Sequence, residues 1–135
     1  VCTGGEPLLQ LDEPLIDFMH DYGFEVAVET NGTLPAPEGL DWICLSPKAD
    51  AELSLIECDE LKLVYPQPLA MPEFFEHVQA THRYLQPMAD ASLDYIVSDA
   101  HEGLSQSNTQ KATNYCLKHP QWKLSLQTHK MLGIE

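Results

Sequence analysis

Polar residues with chemical reach gather at five places along the chain, each directly behind a run of strand character: Thr3-Gly4-Gly5-Glu6, Glu29-Thr30-Asn31-Gly32, Ser46-Pro47-Lys48, Gln86-Pro87 and Gln127-Thr128-His129. Gly4 and Gly5 carry no Cβ, so a ligand can approach their main chain closely. Glu6 adds an anion suited to a ligand ammonium group; the alternative is a tight strand-to-helix turn with an exposed glutamate. Glu29 and Asn31 offer a carboxylate and an amide for hydroxyl or amino groups, and an Asn-Gly pair serves a left-handed turn equally well. Ser46 and Lys48 flank a proline that stiffens the backbone, and present a hydroxyl and a cation for a ribose or a carboxylate. That lysine could instead be structural, paired with Glu29 or Glu6. Gln86 offers an amide to a sugar or purine edge, or caps its strand. A lone histidine such as His129 is more often structural than ligating. No Ser-His-Asp order, metalloprotease HExxH or phosphate-cradling GxxxxGK is present.

The elements that must position these groups alternate between strand and helix. Val1–Thr3 ends a strand. Asp12 is a helix N-cap, with Glu13 and Pro14 in the first turn, an apolar stripe at Leu15, Ile16, Phe18 and Met19, and a stop at Gly23. Alternation predicts strands at 24–29, 42–46, 60–65, 83–86 and 122–127. Helices are expected at 72–81 and 105–118, with a short one at 51–55, and 90–103 fits either a strand or a helix. Alternating units imply a mainly parallel sheet, which places ligands at the carboxyl ends of its strands. The fold class expected is therefore α/β, with no linker or repeat to divide residues 1–135.

Composition narrows the partners. The 135 residues carry 7 Lys and Arg against 21 Asp and Glu, for a net charge of −14. Residues 1–60 hold 14 of the acids and one base, Lys48. Nucleic acid is an unexpected partner, because phosphate binding needs clustered cations. No run is apolar for long enough to span a bilayer, and no secretory signal is visible, so a cytoplasmic location without a membrane partner is expected. Cys2, Cys44, Cys58 and Cys116 lie far apart and are expected to be reduced and buried.

Thr3-Gly4-Gly5-Glu6-Pro7 resembles the glycine-rich motif by which radical S-adenosylmethionine enzymes bind the methionine amino group. Glu29-Thr30-Asn31-Gly32-Thr33, Ser46-Pro47-Lys48, Glu60-Leu61-Lys62, Leu85-Gln86-Pro87-Met88 and Leu124–Lys130, which ends in Gln127-Thr128-His129-Lys130, resemble in that order the 7-carboxy-7-deazaguanine synthase family of queuosine biosynthesis. The resemblance covers nearly the whole chain. It implies an incomplete (βα) barrel, usually a homodimer, using a 4Fe-4S cluster, S-adenosylmethionine and Mg2+. The implied reaction converts 6-carboxy-5,6,7,8-tetrahydropterin to 7-carboxy-7-deazaguanine with loss of ammonia, through a 5'-deoxyadenosyl radical, with an electron donor such as flavodoxin. By the same resemblance Thr3 contacts the pterin substrate and Gly5 the cofactor. Ser46, Pro47 and Lys48 line the cofactor site, as do Gln86, Pro87, Met88 and Ala89. Glu6, Asn31 and His129 are further candidates.

One departure matters. The family ligates its cluster through three cysteines grouped in one loop upstream of the glycine motif, and Cys2 matches no ligand position. The chain does not begin with Met, so the expectation is the carboxyl-terminal portion of a single radical S-adenosylmethionine core domain, lacking its cluster loop and Mg2+ site and inactive alone. Two alternatives stay open: a fragment of a glycyl-radical activating enzyme, which the Gln127–Lys130 motif disfavours, and a non-catalytic remnant that binds only S-adenosylmethionine or a partner.

Overall fold

The computed structural model describes residues 1–89 and 107–134. Five strands form one sheet, β1 Ala27–Thr30, β2 Trp42–Leu45, β3 Glu57–Tyr65, β4 Gln79–Pro87 and β5 Lys123–Leu124, in sequential order. Every pairing is parallel. Cys2 adds a parallel bridge to Val28 on the outer side of β1. The α/β class and the parallel sheet expected from the alternating pattern are observed.

Helix α1, Glu13–Asp21, begins as expected, with the Asp12 side chain accepting from the Leu15 amide at 3.0 Å. Helix α2, Asn108–Lys118, starts on a Ser107–Gln110 capping box, and α3 is a single turn at Thr128–Met131. Strand alternation sends Val28, Ile43, Leu45, Leu61, Leu63 and Leu85 to one face. Ile16 on α1 joins Val26 and Val28 in one apolar cluster. Ala112 on α2 joins Leu61, Leu63, Leu85 and Trp122 in the other. Each fully buried leucine contributes roughly 2 kcal/mol by leaving water.

Two expected helices do not form. Residues 51–55 are irregular, because the Ser54 and Leu55 amides donate to Gly32 O at 2.8 and 3.2 Å and are drawn across the sheet edge. Over 72–81 only a 3-10 turn forms, at Pro72–Phe75. The Gln79 amide donates to Ile56 O, and Gln79 pairs with Glu57, so residues 79–81 enter β4 instead. Strand β5 is also shorter than the expected 122–127. The segment 90–103 and the expected first residues of α2, 105 and 106, lie outside the described residues.

Asp41 ties α1 to the sheet. Its Oδ2 accepts from the Val26 amide at 2.6 Å and lies 2.8 Å from His20 Nε2. The Val26 hydrogen bond first, and His20 second, hold the Asp41 carboxyl below the usual range. A carboxyl depressed in the folded state stabilises fully above its unfolded value, near 4, and that contribution is lost as pH falls through the folded value. Melting temperature followed between pH 3 and 6 should therefore fall less steeply on the acid side for Asp41→Asn than for the parent. Parallel curves would show that the clasp does not contribute.

Candidate functional site

The carboxyl edge of the sheet collects the predicted groups. Cys2 O accepts from the Glu29 amide at 2.9 Å, which sets Thr3, Gly4 and Gly5 beside the end of β1. The Ser46 amide donates to Thr30 O at 2.7 Å, which carries the β1–β2 ladder one residue further. Gln86 and Pro87 pair with Val64 and Tyr65, and the Met88 amide donates to Tyr65 O at 2.7 Å. Asn108 Nδ2 donates to Met88 O at 3.2 Å, so the first turn of α2 meets the end of β4. Ala89 follows, exposed. Gln127 and the exposed His129 come just after β5. Thr3, Gly5, Ser46–Lys48 and Gln86–Ala89 thus share one edge of one sheet.

The opposite face from the helices is the polar one. Strand alternation places Glu29, Cys44, Glu60, Lys62, Tyr84 and Gln86 there. Lys62 Nζ stands 2.9 Å from Glu29 Oε1, and Cys44 Sγ lies 3.5 Å from Glu60 Oε1. Burial pushes the Cys44 thiol up to about 12, so it is a neutral thiol at physiological pH. Cys44 is buried, as expected, but on this polar face and not in either apolar cluster, and the Glu60-Leu61-Lys62 motif by itself assigns Lys62 no separate task. The available signal was the alternation Glu60-Leu61-Lys62-Leu63, charged at every second position of a strand that is apolar between.

Glu6 serves the protein itself. Its Oε1 accepts from the Leu8 amide at 3.1 Å and from Thr30 Oγ1 at 2.7 Å, and its Oε2 accepts from the Asn31 amide at 2.8 Å. The carboxylate thereby clips the glycine loop to the end of β1. Asn31 Oδ1 accepts from both the amide and the hydroxyl of Thr33, at 2.9 and 2.7 Å, so its side-chain oxygen holds the turn. With Glu29 paired to Lys62 and Glu6 committed to Thr30 and Asn31, neither takes Lys48. Lys48 is exposed and has no ion pair among the described residues.

The groups implied by the resemblance fit unequally. Gly4 and Gly5 have φ of 81° and 48°, and nothing lies within 4 Å of where a Cβ would stand, so their main chain is open to a ligand. That opening, the Lys48 cation, the Ser46 hydroxyl and the Gln86 amide match the ammonium, carboxylate, ribose and adenine of S-adenosylmethionine. The cluster and Mg2+ do not fit: no three His, Cys, Asp or Glu stand together as a metal-holding group among the described residues. A hollow of about 320 Å3 lined by Glu73, Arg83, Tyr115 and Trp122 involves none of the predicted residues.

A parallel sheet in sequential strand order, with polar loops at its carboxyl edge and a polar face left bare by the helices, is the pattern of a partial (βα) barrel. No protein-family model matches the chain. It is homologous to curated proteins named 7-carboxy-7-deazaguanine synthase. It is 55% identical to the one from Bradyrhizobium diazoefficiens over 134 residues, 54% to that from Bordetella pertussis and 39% to that from Bacteroides thetaiotaomicron. Each alignment covers 99% of this chain, but 58%, 58% and 64% of the relative. The likeness drawn from the motifs holds along the whole chain, and the chain spans about three fifths of the length of these relatives. No helix among the described residues is long and apolar enough to cross a membrane.

Proposed function

We propose that this chain forms the cofactor- and substrate-facing strands of a radical S-adenosylmethionine core, the carboxyl-terminal portion of a 7-carboxy-7-deazaguanine synthase. The whole enzyme would convert 6-carboxy-5,6,7,8-tetrahydropterin to 7-carboxy-7-deazaguanine with loss of ammonia, in queuosine biosynthesis. The observation that carries this reading is the meeting of Gly5, Ser46 and Gln86 at one sheet edge, in a chain homologous to synthases of that name.

When bound, S-adenosylmethionine would supply the hydrogen-abstracting chemistry, with electrons from a donor such as flavodoxin. The chain's residues bind and orient it. The bare main chain at Gly5 meets the ammonium, Lys48 the carboxylate, Ser46 the ribose and Gln86 the adenine. Thr3 faces the pterin, while Pro47 and Pro87–Ala89 shape the walls. Holding both molecules in one geometry and excluding water is the protein's share of the catalysis. The cluster and Mg2+ would be held by residues outside those described, and a homodimer is the proposed assembly.

Equilibrium dialysis with S-adenosylmethionine tests the assignment. Lys48→Ala should weaken binding about tenfold or more, as the loss of a charge-assisted contact does. Equal binding by Lys48→Ala and the parent would remove the cofactor role from this edge.

A further inference from the structure

Four titratable side chains meet on the open face: Glu29 from β1, Cys44 from β2, and Glu60 and Lys62 from β3. Cys44 and Glu60 are in contact with each other. Lys62 instead reaches across β2, and its ion pair is with Glu29. The lysine side chain is 17% exposed and the glutamate 35%, so the ammonium is sheltered while the carboxylate still opens onto the face. Burial opposes the lysine charge. The hydrogen bond to Glu29 and the negative charges of Glu29 and Glu60 outweigh it, and hold the ammonium above its ordinary pKa. A sheltered cation bridging alternate strands restricts the carboxylate to one orientation. Only Oε1 is engaged; Oε2 has no hydrogen-bond partner among the described residues.

We propose that Lys62 is a positioning residue: it fixes Glu29 Oε1 from across β2, so that Oε2 is presented to a hydroxyl or amino group of the ligand at the carboxyl edge. This rests on reading that edge as the cofactor site. A purely structural cross-strand pair would stabilise the sheet and leave ligand affinity alone.

The test is a double-mutant cycle on S-adenosylmethionine binding, measured by equilibrium dialysis on the complete protein with melting temperature beside it. Lys62→Met should weaken binding about tenfold, Lys62→Arg should stay within about threefold of the parent, and Lys62→Met should change binding less than about twofold in a Glu29→Gln background. Lys62→Gln, which keeps a donor without the charge, makes the same comparison if the methionine variant does not fold. Binding equal to the parent's in Lys62→Met or Lys62→Gln, or a full loss persisting without Glu29, overturns the positioning role. If Lys48→Ala also binds as the parent does, the cofactor reading falls with it; a Lys48 effect without a Lys62 effect overturns the positioning role alone.

Discussion

Replacing Glu6 with alanine is expected to cost about 3 kcal/mol of stability and to detach the Gly4-Gly5 loop from the sheet. Three hydrogen bonds converge on this carboxylate, from the Leu8 amide, the Thr30 hydroxyl and the Asn31 amide. Thr30 is 2% exposed, so its hydroxyl loses its acceptor where water cannot easily replace it. Hydrogen bonds to charged acceptors are worth more than neutral ones, and leaving a buried donor unpaired adds a penalty. Urea unfolding measures the loss as a lower midpoint at an unchanged slope. Glu6→Gln should lose roughly half as much, because one amide oxygen keeps the Leu8 and Thr30 contacts while the NH2 turns a second donor toward Asn31 N. In the proposed cofactor site the open main chain of this loop meets the ligand, so both variants should bind S-adenosylmethionine more weakly. A Glu6→Ala protein as stable as the parent would show that the clip is not what holds the loop.

Gly32→Ala is expected to cost about 3 kcal/mol, through two independent effects. Gly32 has a φ of 79°, a left-handed conformation that a Cβ disfavours by about 1–2 kcal/mol. Its added Cβ would also run into Leu45, with Leu53 at 3.2 Å. Leu45 is fully buried in the larger core cluster and has little room to turn away. Gly23 is the internal comparison: it has the same φ of 79° but nothing within 4 Å of a Cβ. Gly23→Ala should therefore show the conformational cost alone, about 1 kcal/mol. Equal losses at the two glycines in urea unfolding would remove the packing contribution. Gly32 O accepts from Ser54 and Leu55, so a shift there also loosens the connection that follows Ser46 and Lys48.

How much was legible in the sequence follows the range of each interaction. The Asp12 cap lies three residues from its donor, and the apolar stripe of α1 repeats every few residues, so both could be read directly. The parallel sheet followed from alternation. The Glu29, Ser46 and Gln86 clusters stand at the ends of β1, β2 and β4, whereas Thr3-Gly4-Gly5-Glu6 follows only the Cys2 bridge and Gln127-Thr128-His129 begins three residues after Leu124 and runs into α3. The helix expected over 72–81 failed because its last residues pair with β3, a partner that local spacing does not reveal. The helix expected at 51–55 failed for the same kind of reason, since Gly32 O takes its amides.

The sequence by itself determined the class of fold, the strand-end clusters and the family likeness, since all of these are carried by residue types at short spacing. Only the tertiary structure decided what the charges do. Glu6 meets Thr30 from 24 positions away, and Lys62 reaches past β2 to Glu29. Such pairings depend on strand register and on which face each side chain takes. Both are set by burying Leu61, Leu63 and Leu85 against α2 and the turns around it, and a one-residue slip would send every one of these charges to the other side.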